Sequence, residues 1–179
     1  METRTCHLMI STSGGTAGGT ASNYKVALPS TWVQEMGLDA ENRQMELNFD
    51  GTSITITRKH SFSEFLEANR QTGHKLLLVS CYSGSLLCAR IAADETTQKI
   101  RVENFVSDFL KLPFGNNQNP SWEDYLHFLE SRCIPRTRAG LREYLETIGV
   151  DHYDPLEIIR KTQGRMAEDD LCLTVEEIK

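Results

Sequence analysis

The chain has 179 residues, 39% of them hydrophobic and 25% charged, which is typical of a globular protein with one large or two small cores. It has no apolar run of about 18 residues and no signal-peptide leader at METRTCHLMI, so we expect a cytoplasmic protein that does not contact a membrane. The net charge is −6, and no third of the chain is basic, which argues against a sequence-independent DNA binder. Any DNA binding must then use a locally positive face.

Residues 5–10 alternate weakly and predict a short strand, and residues 11–22 follow as a polar, glycine-rich loop. This loop has no lysine and so cannot be a phosphate-binding loop of the glycine-lysine-serine type. We interpret it as the flexible tip of a hairpin.

A second strand and a short helix come next. Tyr24, Val26 and Leu28 share a strand face that Pro29 ends. The helix is predicted to have Ser30 as its cap, Gly37 as its end, and an apolar side formed by Trp32, Val33 and Met36.

The pair Asp50-Gly51 separates two further strands and suits a two-residue hairpin turn with positive backbone angles. Alternation predicts an apolar face on both strands. It is formed by Met45, Leu47, Phe49, Ile54 and Ile56.

This strand and helix order over residues 1–60 resembles the AbrB, MazE and SpoVT swapped-hairpin family, and the residues that carry the resemblance are Leu28-Pro29, Trp32-Val33, Met36-Gly37-Leu38 and Asp50-Gly51. The resemblance implies an obligate homodimer. Interleaving two chains would also double a core that fewer than sixty residues cannot build alone.

The same resemblance implies that the dimer binds double-stranded DNA through Arg4, His7, Thr12, Ser13, Lys25, Ser30 and Thr31. The chain departs from the family at Ser30-Thr31-Trp32-Val33-Gln34-Glu35, where DNA-binding relatives often carry arginine or lysine. The alternative is a domain that only dimerises and docks a partner protein.

Residues 61–74 predict a helical connector that starts with a capping box from Ser61 to Glu64. Residues 75–105 predict a β-meander with a tight turn at Ser83-Gly84. Cys81 lies in this meander, but no histidine is placed as its base, so we do not expect it to be a catalytic nucleophile.

Residues 121–164 predict three helices that pack with the meander into an α+β domain spanning 75–179. Their signals are the cap Ser121, the break at Pro135, the terminal Gly149 and the start signal Asp154-Pro155. The predicted fold class of the whole chain is therefore α+β, with a dimeric swapped-hairpin β-domain first.

A dense basic run lies in the otherwise most acidic third: Arg132, Arg136, Arg138 and Arg142. Arg132, Arg136 and Arg138 lie in the run SRCIPRTR, which together with the later run YDPLEIIRKTQGRMAED resembles a module of small proteins from bacterial mobile and toxin-antitoxin-like loci, chiefly in Firmicutes. The four arginines could contact a phosphate or a partner near a helix start, or form salt bridges with the neighbouring Glu130, Glu143, Asp151 and Asp154.

The five cysteines are scattered and show no metal or redox spacing, so we expect reduced, mostly buried thiols and neither a metal nor a cofactor. The acidic group Glu168, Asp169 and Asp170 matches no calcium loop and is interpreted as a solvated face.

These features favour a homodimeric, DNA-associated protein of a mobile element that acts as a transcriptional regulator or an antitoxin-like partner of a toxin protein. The alternative follows from the whole chain, which resembles anti-CRISPR proteins that block Cas9-type nucleases by occupying their nucleic-acid channel or holding DNA. We do not expect an enzyme, because the sequence has no paired histidines, nucleophile elbow or phosphate loop.

Overall fold

The computed structural model describes residues 2–13 and 21–178 as a mixed α+β protein with small antiparallel sheets. The chain divides into two compact units, which we call the hairpin unit (Met1–Lys59) and the sheet unit (His60–Lys179). The predicted flexible tip at residues 14–20 lies outside the described residues.

The hairpin unit consists of two separate two-stranded sheets and one short helix. Its elements are β1 (Met9–Ser13), β2 (Ala21–Lys25), α1 (Ser30–Glu35), β3 (Met45–Phe49) and β4 (Ile54–Arg58). β1 therefore begins later than the strand predicted over residues 5–10 and runs into the polar segment, because its pairing with β2 fixes its length.

Two local predictions in this unit need correction. Pro29, and not Ser30, is the N-cap of α1, and no side chain caps this helix. The hairpin at Asp50-Gly51 has a four-residue loop, since Phe49 pairs with Ile54. The Asp50 carboxylate accepts hydrogen bonds from the backbone of Thr52 and Ser53 at 2.9 and 2.8 Å, which stabilises this longer loop.

The sheet unit contains a four-stranded antiparallel sheet in the order β7-β6-β5-β8. Its elements are α2 (Phe62–Gln71), β5 (Leu76–Ser83), β6 (Leu86–Asp94), β7 (Lys99–Asn104), a 3-10 turn (Phe109–Lys111), α3 (Trp122–Ser131), α4 (Leu141–Ile148), α5 (Pro155–Thr162) and β8 (Leu171–Ile178). Strands β5 to β7 form the predicted meander.

The core of the sheet unit lies between one face of the sheet and helices α3 to α5. Leu77, Val79, Ile91 and Leu173 project from the strands and are at most 2% exposed. Tyr125, Leu129, Leu145, Ile158 and Ile159 meet them from the helices. The apolar helix stripes predicted from the sequence are thus the faces that pack on the sheet.

Helix starts in this unit follow the sequence signals. Ser61 and Ser121 each form a capping box, and Asp154 accepts hydrogen bonds from two backbone N–H groups of the first turn of α5. Helix α2, predicted as a connector, contacts β5, β6 and β7 and buries Phe65, so it is part of the sheet unit.

Strand β8 was not predicted. Leu171, Leu173 and Val175 point to the core side of the sheet, and β8 pairs with β5 over its whole length. The segment interpreted as a solvated acidic face therefore runs into an edge strand, and only Glu176 and Glu177 keep exposed side chains within it.

Candidate functional site

The two hairpins of the hairpin unit are amphipathic. In the second hairpin, Leu47 pairs with Ile56 and Phe49 pairs with Ile54, so one face is apolar, while Asn48 and Thr55 lie on the other. Leu47 and Phe49 are 65% and 70% exposed. An apolar face of this size is open to solvent in the single chain.

The first hairpin repeats this arrangement. Ile10 pairs with Tyr24 on one face, and both side chains are more than 60% exposed. The opposite face carries Lys25 beside Met9 and the pair Ser11 and Asn23. One face of this hairpin therefore carries an exposed apolar pair beside Thr12 and Ser22, and the other face is mainly polar and carries the charge of Lys25.

The register separates two predicted DNA-contact residues. Lys25 lies on the polar face, whereas Thr12 pairs with Ser22 on the face of Ile10 and Tyr24. Ser11 and Asn23 share the face of Lys25. They were not among the predicted residues, because the sequence alone does not give the pairing register. The backbone of Ser13 pairs with Ala21 at the end of the described part of β1.

The remaining predicted DNA-contact residues lie before β1 and at the start of α1. His7 is exposed, and Ser30 and Thr31 are the first two residues of α1. Arg4 stacks over the Trp32 ring at 5.5 Å. Arg4 is therefore next to the start of α1.

The Glu2 carboxylate, which the sequence did not single out, links Arg4 to Trp32 of α1. Glu2 accepts hydrogen bonds from the Arg4 Nη2 at 2.9 Å and from the Trp32 Nε1 at 2.7 Å. The bonds from Trp32 and Arg4 lower the pKa of the Glu2 carboxyl. An incoming phosphate must therefore compete with Glu2 for Arg4.

In the sheet unit, the four arginines of the basic run have different roles. Arg132 is 7% exposed and donates to the backbone oxygens of Gly164 and Leu171 and to both oxygens of the Asp169 carboxylate, at 2.6 and 3.0 Å. This arrangement lowers the pKa of Asp169. Arg132 fixes the loop before β8 and is almost entirely buried.

Two of the other arginines form local pairs. Arg136 donates to Glu130 at 2.8 Å and stacks over the Tyr153 ring at 4.1 Å. Arg142 donates to Glu146 at 3.0 Å and is 88% exposed on its side chain. The salt-bridge interpretation thus describes Arg136 and Arg142, although the partner Glu146 differs from those expected.

Arg138 differs from these three. It is exposed, and within the described ranges no carboxylate lies within 4 Å of its guanidinium. Its side chain lines a cleft with the Arg165 side chain. Arg138 is thus the member of the basic run that is open to a ligand.

The cysteine chemistry matches the expectation of free, mostly buried thiols, with Cys6 exposed and the other four buried. Burial raises the pKa of the Cys81 and Cys133 thiols to about 12. Both thiols are protonated at neutral pH, so neither is an activated nucleophile. Within the described ranges, residues 2–13 and 21–178, no group of three or more His, Cys, Asp or Glu side chains is arranged to hold a metal ion.

No helix among the described residues is long and apolar enough to cross a bilayer. Comparison with known proteins gives no matching family model, no matching curated protein and no matching solved structure. The function is therefore inferred from the geometry of the chain itself.

Proposed function

We propose that this protein is a homodimeric, DNA-associated binding protein, with the hairpin unit as its dimerisation domain and no catalytic activity. The observation that carries the proposal is the open apolar face on each of the two hairpins. Among the described residues of this unit, Leu38 alone is a buried hydrophobic side chain. The described part of the unit thus lacks a core in the single chain.

The physical reason for a second copy is the weakness of an isolated hairpin. A two-stranded sheet is at best marginally stable in water, and it needs a third strand or a packed face. Each chain brings two apolar faces of the same kind, so two copies can cover one another by interleaving their hairpins. A swapped-hairpin dimer is the arrangement that buries all four faces.

The polar face of the first hairpin supports the DNA role. Covering the apolar face leaves Lys25, Asn23 and Ser11 exposed, and a dimer presents this set twice. Lysine neutralises phosphate, and asparagine can read an adenine edge in the major groove. This arrangement suits a transcriptional regulator or an antitoxin-like protein that binds its own operator.

The test combines mass measurement with DNA binding. Light scattering at micromolar concentration should give the mass of two chains, and a monomer would refute the proposal. A gel shift across a salt series should show preference for a promoter duplex of the protein's own gene over random duplex, with affinity falling as salt rises.

A matched pair of lysine variants locates the DNA face. Lys25→Gln should weaken binding to every duplex and reduce the salt dependence by about one phosphate contact per chain. Lys161→Gln on α5 should leave both unchanged. Equal effects of the two variants would contradict the placement of DNA on the first hairpin.

The second candidate function is inhibition of a protein such as a Cas9-type nuclease, and exposed side chains of the sheet unit favour it. Phe105, Phe109 and Leu110 lie within six residues after β7, and Leu110 is 74% exposed. Such clustering is typical of protein-binding surfaces. Loss of target cleavage by a guide-loaded nuclease, restored by Leu110→Ser, would support this candidate; undisturbed cleavage would exclude it.

A further inference from the structure

Two segments that are distant in the sequence meet at a cleft of the sheet unit with a volume of about 440 Å³. One wall comes from residues 132–140 and the start of α4, and the other comes from residues 162–168. Small-molecule sites commonly have volumes of roughly 300–1,000 Å³. The cleft is thus large enough for a compact ligand.

Two exposed arginines of the cleft lining, which we call its rim, have guanidinium groups with free donors. Arg165 donates its Nε to the Gln163 side chain at 3.0 Å, and for Arg138 no side-chain bond is formed within the described residues. No carboxylate of the described chain lies within 4 Å of either group. Two open guanidinium forks on one cleft match a doubly charged anion.

The floor of the cleft, by which we mean its half-buried apolar lining, differs in character from the charged rim. It is formed by Ile134, Tyr144 and Met166, which are half-buried. The N-cap of α4 is Gly140, which also lines the cleft and offers no side-chain acceptor to the first-turn N–H groups. These N–H groups add to the positive potential of the rim.

The walls of this cleft are held in shape by buried contacts. Arg132 ties the end of α3 to Gly164 and Asp169, as described above. The backbone of Gly164 has a positive φ of 56°, and an added Cβ would lie 3.2 Å from Arg132 Cβ and from Leu173 Cδ1. Residues 132–140 and 162–168 are thus held together at this cleft by contacts within the chain, independently of any ligand.

We propose that this cleft binds a small molecule that carries a phosphate group on a partly apolar body, with Arg138 and Arg165 gripping the phosphate and the floor holding the body. Glu168 also lines the cleft and opposes the anion. The proposal concerns the sheet unit alone and does not depend on dimerisation or DNA binding.

The experiment is an NMR titration of the full chain with inorganic phosphate and with adenosine monophosphate as probes. Signals of residues 138–144 and 165–168 should shift, and the nucleotide should bind several-fold more tightly than phosphate because it also contacts the floor. Equal affinities would reduce the site to a bare anion site and overturn the proposal. A duplex that binds there more tightly than the nucleotide would also overturn it.

Variants of opposite expected sign make the result independent of folding defects. Arg138→Gln with Arg165→Gln should raise the dissociation constant of the nucleotide by about tenfold or more, since two charge-assisted contacts are lost. Glu168→Gln should lower it, because a repulsive carboxylate is removed. Arg142→Gln, in the first turn of α4 and paired with Glu146, is the matched control and should have no effect. A Glu168→Gln variant that binds more weakly would reject the assignment.

Discussion

The hairpin unit and the sheet unit show two ways of using apolar residues. In the sheet unit the core residues lie between a sheet and three helices, and Tyr125, Leu77 and Ile91 are at most 1% exposed. In the hairpin unit apolar residues line one face of each hairpin and remain exposed. The difference is that the sheet unit carries its own core, whereas Leu38 alone is a buried hydrophobic side chain among the described residues of the hairpin unit.

The largest expected effect comes from placing a charge on the open face. Phe49→Asp should raise the dissociation constant of the dimer by at least about a hundredfold, because the interface would bury an unpaired carboxylate. Asn48→Asp adds the same charge to the polar face of the same strand and should leave the dimer intact. Sedimentation measures both variants; an unchanged dimer with Phe49→Asp would break the comparison.

Next in size is the loss of the buried arginine of the sheet unit. Arg132→Gln should lower the free energy of unfolding by about 2–4 kcal/mol, since it leaves Asp169 and two backbone oxygens short of donors. Arg136→Gln removes an exposed pair and should cost less than about 1 kcal/mol. Urea unfolding followed by circular dichroism gives both values. Similar losses of unfolding free energy would show that the buried contacts of Arg132 stabilise the sheet unit no more than the exposed pair of Arg136.

Acid should act on the sheet unit through Asp94. Burial raises the pKa of this carboxyl, but hydrogen bonds from Thr97, His74 and the backbone of Thr96 outweigh burial and lower it overall. An aspartate carboxyl in an unfolded chain has a pKa of about 3.9. The contribution of Asp94 to stability is therefore complete above that pH and is lost as the pH falls through the lower folded value.

Asp94→Asn tests this dependence. The variant should lose about 1–3 kcal/mol of unfolding free energy at pH 7 and should respond less to acid below pH 4 than the parent, with Asp169 supplying part of the remaining response. Urea unfolding at a series of pH values gives the two slopes. A variant as acid-sensitive as the parent would show that Asp94 is not the responsible group.

The smallest expected effect is a difference in stability between alanine variants of two glycines in the sheet unit. Both have positive φ, but an added Cβ at Gly73 meets nothing within 4 Å, whereas one at Gly164 meets Arg132 and Leu173 at 3.2 Å. Gly73→Ala should cost about 1 kcal/mol from backbone strain, and Gly164→Ala about 1 kcal/mol more from overlap. Thermal unfolding distinguishes them, and equal melting temperatures would mean that the wall beside Gly164 is not tightly packed.

Local signals predicted local structure well. Ser61, Ser121 and Asp154-Pro155 mark helix starts in the sequence because capping depends on residues three or fewer positions away. The meander and the apolar stripes of α3 to α5 follow from periodicity for the same reason. These features needed no knowledge of the tertiary fold.

The remaining features depend on distant partners. Strand β8 has the alternating pattern of a strand, but the acidic group Glu168 to Asp170 before it suggested a solvated segment, and its pairing with β5 is not visible locally. The basic run could be recognised, but its burial pattern could not, because Arg132 is neutralised by Asp169 thirty-seven positions later. The cleft likewise appears only when residues 132–140 meet residues 162–168.

The pairing of β5 with β8 has a consequence for the order of folding during synthesis. Leu76 pairs with Ile178, so the sheet cannot be completed until about a hundred further residues have left the ribosome. The hairpin unit has emerged long before then and has only local strand pairs to form. In the proposed dimer, two nascent chains on one messenger RNA would therefore pair their hairpins while their sheet units are still incomplete.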